Sequence, residues 1–159
     1  MRITIICVGK LKERFFRDAC AEYEKRLGRY CRLEIIEVAD EKTPDGASEA
    51  LEEQIREKEA ARILRHVRED AFVYTLEIEG KKPDSVAFAR QLESLALKRQ
   101  SHIQFVIGGS LGLHGSVSRV AHSAVSFSNM TFPHQLMRVI LLEQIYRSFR
   151  IIAGEPYHK

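Results

Sequence analysis

Two hydrophobic patterns alternate along this chain. Short apolar runs give way to longer segments in which apolar residues recur every three or four positions. Arg2–Val8 is rich in β-branched residues and stops at Gly9. Between Lys12 and Gly28, Phe16, Ala19, Cys20, Tyr23 and Leu27 fall at helical spacing. Leu33–Val38 reads as a second strand. Ser48 then caps a charged helix to about Arg68, with Glu49, Glu52 and Glu53 at its positive end. Phe72–Leu76 is a third strand, Gly80 and Pro83 break the chain, and Asp84 caps a helix to about Lys98. A strongly apolar strand, Ile103–Ile107, runs into Gly108-Gly109-Ser110-Leu111-Gly112. A short helix at Ser116–Ala121 and a strand at Ala124–Phe127 follow. The last helix spans His134 to Ile152, after the loop Asn129–Pro133.

Strands alternating with helices predict an α/β fold, a mostly parallel sheet of five or six strands with helices on both faces. The 159 residues fit one domain, residues 1–159. With 45% hydrophobic and 30% charged residues, the chain can bury a proper core. No apolar run approaches the roughly 20 residues of a membrane span, and Met1–Val8 lacks the h-region of a signal peptide. A cytoplasmic protein with no membrane partner is expected. Cys7, Cys20 and Cys31 are odd in number and match no zinc spacing, and the six histidines are scattered, so no metal site is expected. The net charge of +3 permits nucleic-acid binding without requiring it.

The last helix is unusual. Met137, Val139, Leu141, Leu142, Ile145, Tyr146 and Phe149 spread over an arc of roughly 200°, more than one sheet face needs. This predicts burial on two sides, by the sheet and by a second chain. Arg138 lies inside the arc and needs a partner, a carboxylate of another subunit or an RNA phosphate. Glu143 and Arg147 form an i, i+4 pair on the opposite face.

Parallel sheets bind ligands outside the carboxyl ends of their strands. Three such exits carry unusual chemistry: Leu76 to Gly80, Gly108 to Leu113, and Phe127 to His134. Glycines permit close backbone approach, and the third loop enters a helix N-terminus with free N–H groups. Backbone donors beside apolar side chains suit adenine and a sulfonium better than a bare phosphate. Neither G-x-G-x-x-G nor a Walker loop is present.

The string Phe127-Ser128-Asn129-Met130-Thr131-Phe132-Pro133-His134-Gln135-Leu136-Met137-Arg138, continued by Glu143-Gln144-Ile145-Tyr146-Arg147 and closed by Pro156-Tyr157-His158, resembles the ribosomal large subunit methyltransferase H family of SPOUT enzymes. Val8-Gly9-Lys10-Leu11-Lys12 and Ile107-Gly108-Gly109 match as well, so the resemblance spans the chain. In that family a proline and an acidic residue often follow the glycine pair. Here Ser110 and Leu111 follow it, so the likeness covers the turn and not those side chains. The resemblance implies methyl transfer from S-adenosylmethionine (SAM) to N3 of a pseudouridine in 23S rRNA of the ribosome, by a homodimer with a C-terminal trefoil knot. It implies that Leu76, Gly108, Phe127, Ser128, Asn129, Met130, Thr131 and Phe132 line the SAM site. It also implies that His134, Arg147, Tyr157 and His158 serve catalysis and that Arg138 binds substrate. Arg147 would stabilise the anion left by the imino proton, which His158 or Tyr157 would accept or relay.

Two rivals remain on sequence grounds. A non-catalytic ribosome-binding module would keep a basic surface without SAM binding. A flavodoxin-like phosphoester-binding enzyme would place a Ser/Thr-rich loop after the first strand, where Gly9-Lys10-Leu11-Lys12 stands.

Overall fold

The computed structural model describes residues Met1–Lys159. Five strands, β1 (Arg2–Val8), β2 (Arg32–Val38), β3 (Phe72–Lys81), β4 (His102–Ile107) and β5 (Ser123–Val125), form one sheet in the order β2-β1-β4-β3-β5. Every strand pair is parallel. The helices are α1 (Arg14–Leu27), α2 (Glu49–Leu64), α3 (Ser85–Leu97), α4 (Gly115–Val120) and α5 (His134–Ile152).

The central strands explain their own apolar character. β4 is buried along its whole length and β1 from Ile3 onward, because both sheet faces are covered. On one face Ile3, Ile5, Phe105, Tyr74 and Ile107 meet α1, α3 and α5. On the other, Ile6, Val8, Val73 and Val106 meet Ala60 and Ile63 of α2 and Val117 of α4. Gln104 interrupts the apolar run of β4 and is fully satisfied: its amide donates to the His66 carbonyl at 2.9 Å and accepts from the Arg68 N–H at 2.8 Å. Those bonds tie down the turn after α2, which ends at Leu64 rather than Arg68. Ser48 and Asp84 cap α2 and α3, accepting from the N–H groups of Leu51 and Ala87.

The wide apolar arc of α5 has an intramolecular explanation. The helix lies between α1 and α3, so its flanks as well as its base are covered by its own chain. Within the chain Leu141, Leu142, Ile145 and Tyr146 of the arc are buried, and Met137, Val139 and Phe149 are half-buried.

β3 outruns the sequence reading by five residues. It pairs with β5 up to Leu76, bulges, and meets Val125 again through Lys81. The Lys81 carbonyl accepts from the Ser126 N–H at 2.8 Å. Residues 77–80 therefore wrap round β5. Gly80 lies so close to that strand that a Cβ on it would sit 2.8 Å from backbone atoms of Ala124 and Val125. A close wrap of this kind is consistent with a threaded C-terminal segment.

Candidate functional site

The carboxyl ends of β3, β4 and β5 open into a cavity of about 710 Å³, within the range of small-molecule sites. Its walls are residues 76–78, 107–112, 125–128 and 130–134, with Met137 from the first turns of α5. All three strand exits singled out in the sequence thus converge. Leu76, Gly108, Phe127, Ser128, Met130, Thr131 and Phe132 line the cavity, and so does His134; Asn129 is exposed and lies outside the lining.

The loop after β4 folds back on itself. The Gly112 N–H donates to the Gly109 carbonyl at 3.0 Å, and Gly112 has φ +81°. A Cβ on Gly108 would stand 2.9 Å from the Gly112 carbonyl carbon, and one on Gly109 would stand 3.1–3.3 Å from Val8 and the Glu59 carboxylate. Gly108 is therefore dictated by the loop's own backbone, and Gly109 by the Val8 and Glu59 side chains packed against it. Glu59 is itself buried, which pushes its carboxyl pKa up; it accepts from the Glu41 N–H at 3.1 Å.

No Lys or Arg lines the cavity. Its ionisable side chains are Glu77 and His134. Glu77 is held in place, accepting from Thr75 Oγ1 at 2.5 Å and Ser118 Oγ at 2.7 Å. His134 begins α5, and burial, with Arg138 nearby, holds its pKa below the usual imidazole value. The cavity thus presents one carboxylate, a neutral ring, apolar walls and backbone. That set suits a cationic sulfonium with an uncharged heterocycle, and is poor for a polyphosphate. Glu77, Ile78, Ser126 and Met137 were missed as site residues. Glu77 and Ile78 belong to the strand exit already marked; the signal for Met137 was its place one turn past the loop.

Arg138 has neither of the partners anticipated. It is buried, donates to Glu37 Oε2 at 2.7 Å and to the Gly9 carbonyl at 3.1 Å, and so ties α5 to β2 and to the end of β1. Its charge is satisfied within the chain. Cys7 and Cys20 are buried free thiols with pKa values pushed by desolvation to about 12 and about 11.

The remaining polar residues gather at the other end of α5. Arg147 makes a fork to Glu143, with Nη2 to Oε1 at 2.6 Å, and stacks over the Tyr157 ring at 4.7 Å. Tyr157 donates to Glu143 Oε1 at 3.0 Å, and His158 Nδ1 lies 3.3 Å from Arg147 Nη1. The tail is held rather than frayed: Tyr30 donates to Glu155 at 2.8 Å, Arg150 pairs with Glu155, and Arg150 Nη2 reaches the Pro156 carbonyl at 3.2 Å. Burial and Glu143 raise the Tyr157 pKa to about 12, so the phenol is a donor and not a proton acceptor near neutrality. Within one chain this cluster does not meet the cavity. Arg147 lies thirteen residues beyond His134, about 20 Å along the helix axis.

The family model described as predicted SPOUT methyltransferase matches residues 1–158. A protein named ribosomal RNA large subunit methyltransferase H, from Bifidobacterium adolescentis, is 62% identical over 159 residues, with both chains fully covered. A putative methyltransferase of the same name from Methanococcus maripaludis is 59% identical over the same span.

The chain belongs to the SPOUT methyltransferase family, in its methyltransferase H group.

A probable methylase family protein from Haemophilus influenzae shares the SPOUT chain's fold at TM-score 0.51 and 13% identity, covering 99% of this chain and 70% of the other. Membership agrees with the resemblance carried by the C-terminal motif, and with the parallel α/β sheet. In this SPOUT chain no group of three or more His, Cys, Asp or Glu side chains is placed to hold a metal, and no helix is long and apolar enough to cross a membrane.

Proposed function

We propose that this chain methylates N3 of a pseudouridine in 23S rRNA of the large ribosomal subunit, using SAM, as a cytoplasmic homodimer with one knotted domain per chain. The observation that carries the reading is the cavity free of Lys and Arg, with Glu77 as its carboxylate and His134 neutral. These residues fit SAM: Leu76, Gly108, Phe127, Ser128 and residues 130–132 would hold it, and Glu77 would offset its positive charge. When bound, SAM supplies an electrophilic methyl group on a sulfonium.

The chain's own residues supply the rest. N3 must lose its imino proton before it can attack. His158 faces a guanidinium with Nδ1, so that nitrogen carries a lone pair and receives the proton as Arg147 turns towards the developing anion. Tyr157 stays protonated, packs on Tyr146, and positions Arg147 by stacking. The separation of this cluster from the cavity along α5 supports a second chain, whose tail would complete the site. Holding the base in line with the methyl group then accounts for much of the acceleration.

Calorimetry with SAM, together with methyl incorporation into unmethylated ribosomes, tests the activity. A folded chain that binds no SAM would leave only the ribosome-binding module. Mixed dimers test the shared site. One chain carries Gly108→Val, which disturbs the donor loop; the other lacks Tyr157–Lys159. Each alone should be inactive, while mixing restores transfer, because one intact pocket then meets one intact tail. No recovery on mixing would place pocket and tail in the same chain.

A further inference from the structure

The loop between β1 and α1, together with the first turn of α1, carries chemistry that the pocket and the tail do not use. Lys10-Leu11-Lys12-Glu13-Arg14-Phe15-Phe16-Arg17 holds four cations against one acid. Lys10, Lys12 and Arg14 are exposed, and Arg14 has only a loose contact with Asp18, 3.7 Å away with both side chains in water. Such a pair is worth little and yields readily to a phosphate. Phe15 is 65% exposed, its ring 4.4 Å from that of the half-buried Phe16. Nothing in the chain covers it. Arg17 does not face outward freely: Nη1 donates to the Leu11 and Lys12 carbonyls at 3.1 and 2.7 Å, which props the loop in one shape.

The position is as informative as the composition. The loop leaves the carboxyl end of β1 on the sheet edge that carries the cavity. Its first residue, Gly9 at φ +85°, lies beside His134, with the imidazole Nε2 3.7 Å from where a Cβ would stand. Arg138 grips the Gly9 carbonyl. A rigid, cationic loop with one bare aromatic ring therefore stands next to the cavity wall. Cations with an exposed ring fit unpaired RNA: phosphates for the cations and an unstacked base for the ring.

We infer that the β1–α1 loop and the first turn of α1 form the RNA-docking surface, with Lys10, Lys12 and Arg14 on phosphates and Phe15 stacked on a base flanking the target. This rests on the rRNA reading above, but its test does not depend on catalysis. The full-length chain is titrated onto unmethylated large ribosomal subunits without SAM, across a salt series. Phe15→Ala should weaken binding by about 5- to 150-fold, the worth of one base–aromatic stack, and Phe15→Trp should retain it. Replacing Lys10, Lys12 and Arg14 by Ala together should flatten the slope of log affinity against log salt by about 2, for three phosphates on single-stranded RNA. SAM affinity and melting temperature should be unchanged. Wild-type affinity in both variants would overturn the assignment. So would a change in sedimentation on Phe15→Ala, which would give the ring to a second copy of the chain. Tight, salt-dependent binding by a wild type that transfers no methyl group would uphold the docking surface and defeat the methylation reading.

Discussion

Arg138 offers the sharpest test of the architecture, because sequence and structure assign it different work. In the structure it is an internal tie between α5, β2 and the β1 exit. Glu37→Gln removes the countercharge, leaves the guanidinium buried, and changes no surface cation. Breaking one side of a buried pair costs 3–5 kcal/mol; the Glu37 side chain is 35% exposed, so water enters and a value of about 3 kcal/mol is expected. For a chain of this size that corresponds to a fall in melting temperature of about 6–12 °C. Arg138→Met should cost a similar amount, since Glu37 and the Gly9 carbonyl lose their donor. The double variant should cost clearly less than the two added together, because the partners are removed as a unit. Thermal and urea unfolding of the four proteins measures this, with SAM affinity beside it. An Arg138→Met chain of wild-type stability that had lost methyl transfer would refute the tie and return Arg138 to the substrate.

Three further outcomes follow from the geometry. Gly80→Ala places a Cβ 2.8 Å from the backbone of β5, which cannot yield as a side chain could; a loss of about 1–3 kcal/mol or more is expected in urea unfolding, and a silent substitution would mean the wrap is looser than described. Gly108→Val should weaken SAM binding by rearranging the loop at Gly112, so calorimetry should show the loss and hydrogen exchange should show new opening at residues 108–113. His134 has a lowered pKa when folded, while the unfolded ring titrates near 6.5. The unfolded state therefore binds more protons below that value. Stability is intact above it and falls as pH drops towards the folded pKa, with His102 adding the same sign. His134→Gln should flatten part of that fall in urea midpoints taken from about pH 7.5 to about pH 5.

Much of this arrangement was legible in the chain. The apolar runs of β1 and β4 and the helical spacing of α1 reflect local periodicity, which packing reinforces. The bounds of α5 agree residue for residue, since Pro133 and Gly154 bracket it. The three strand exits were readable as one site because parallel strands deliver their loops to one edge. What escaped was set by partners distant in sequence. β3 runs on to Lys81 only because β5 is there to pair with it. The arc of α5 looked like two interfaces because the slot between α1 and α3 cannot be seen from one helix. Arg138 looked available because Glu37, 101 residues away, gives no local sign of pairing with it.

The placement of α5 also ties competence to completeness. The slot between α1 and α3 is framed by segments made before its occupant. A chain cut short before His134 would lack Leu141, Leu142 and Ile145 from the core, the His134 and Met137 wall of the cavity, and Arg138, which clamps the β1 exit. Such a fragment could neither bury its sheet nor close the cavity. A truncated product of this gene is therefore expected to be a substrate for proteases rather than a weak enzyme.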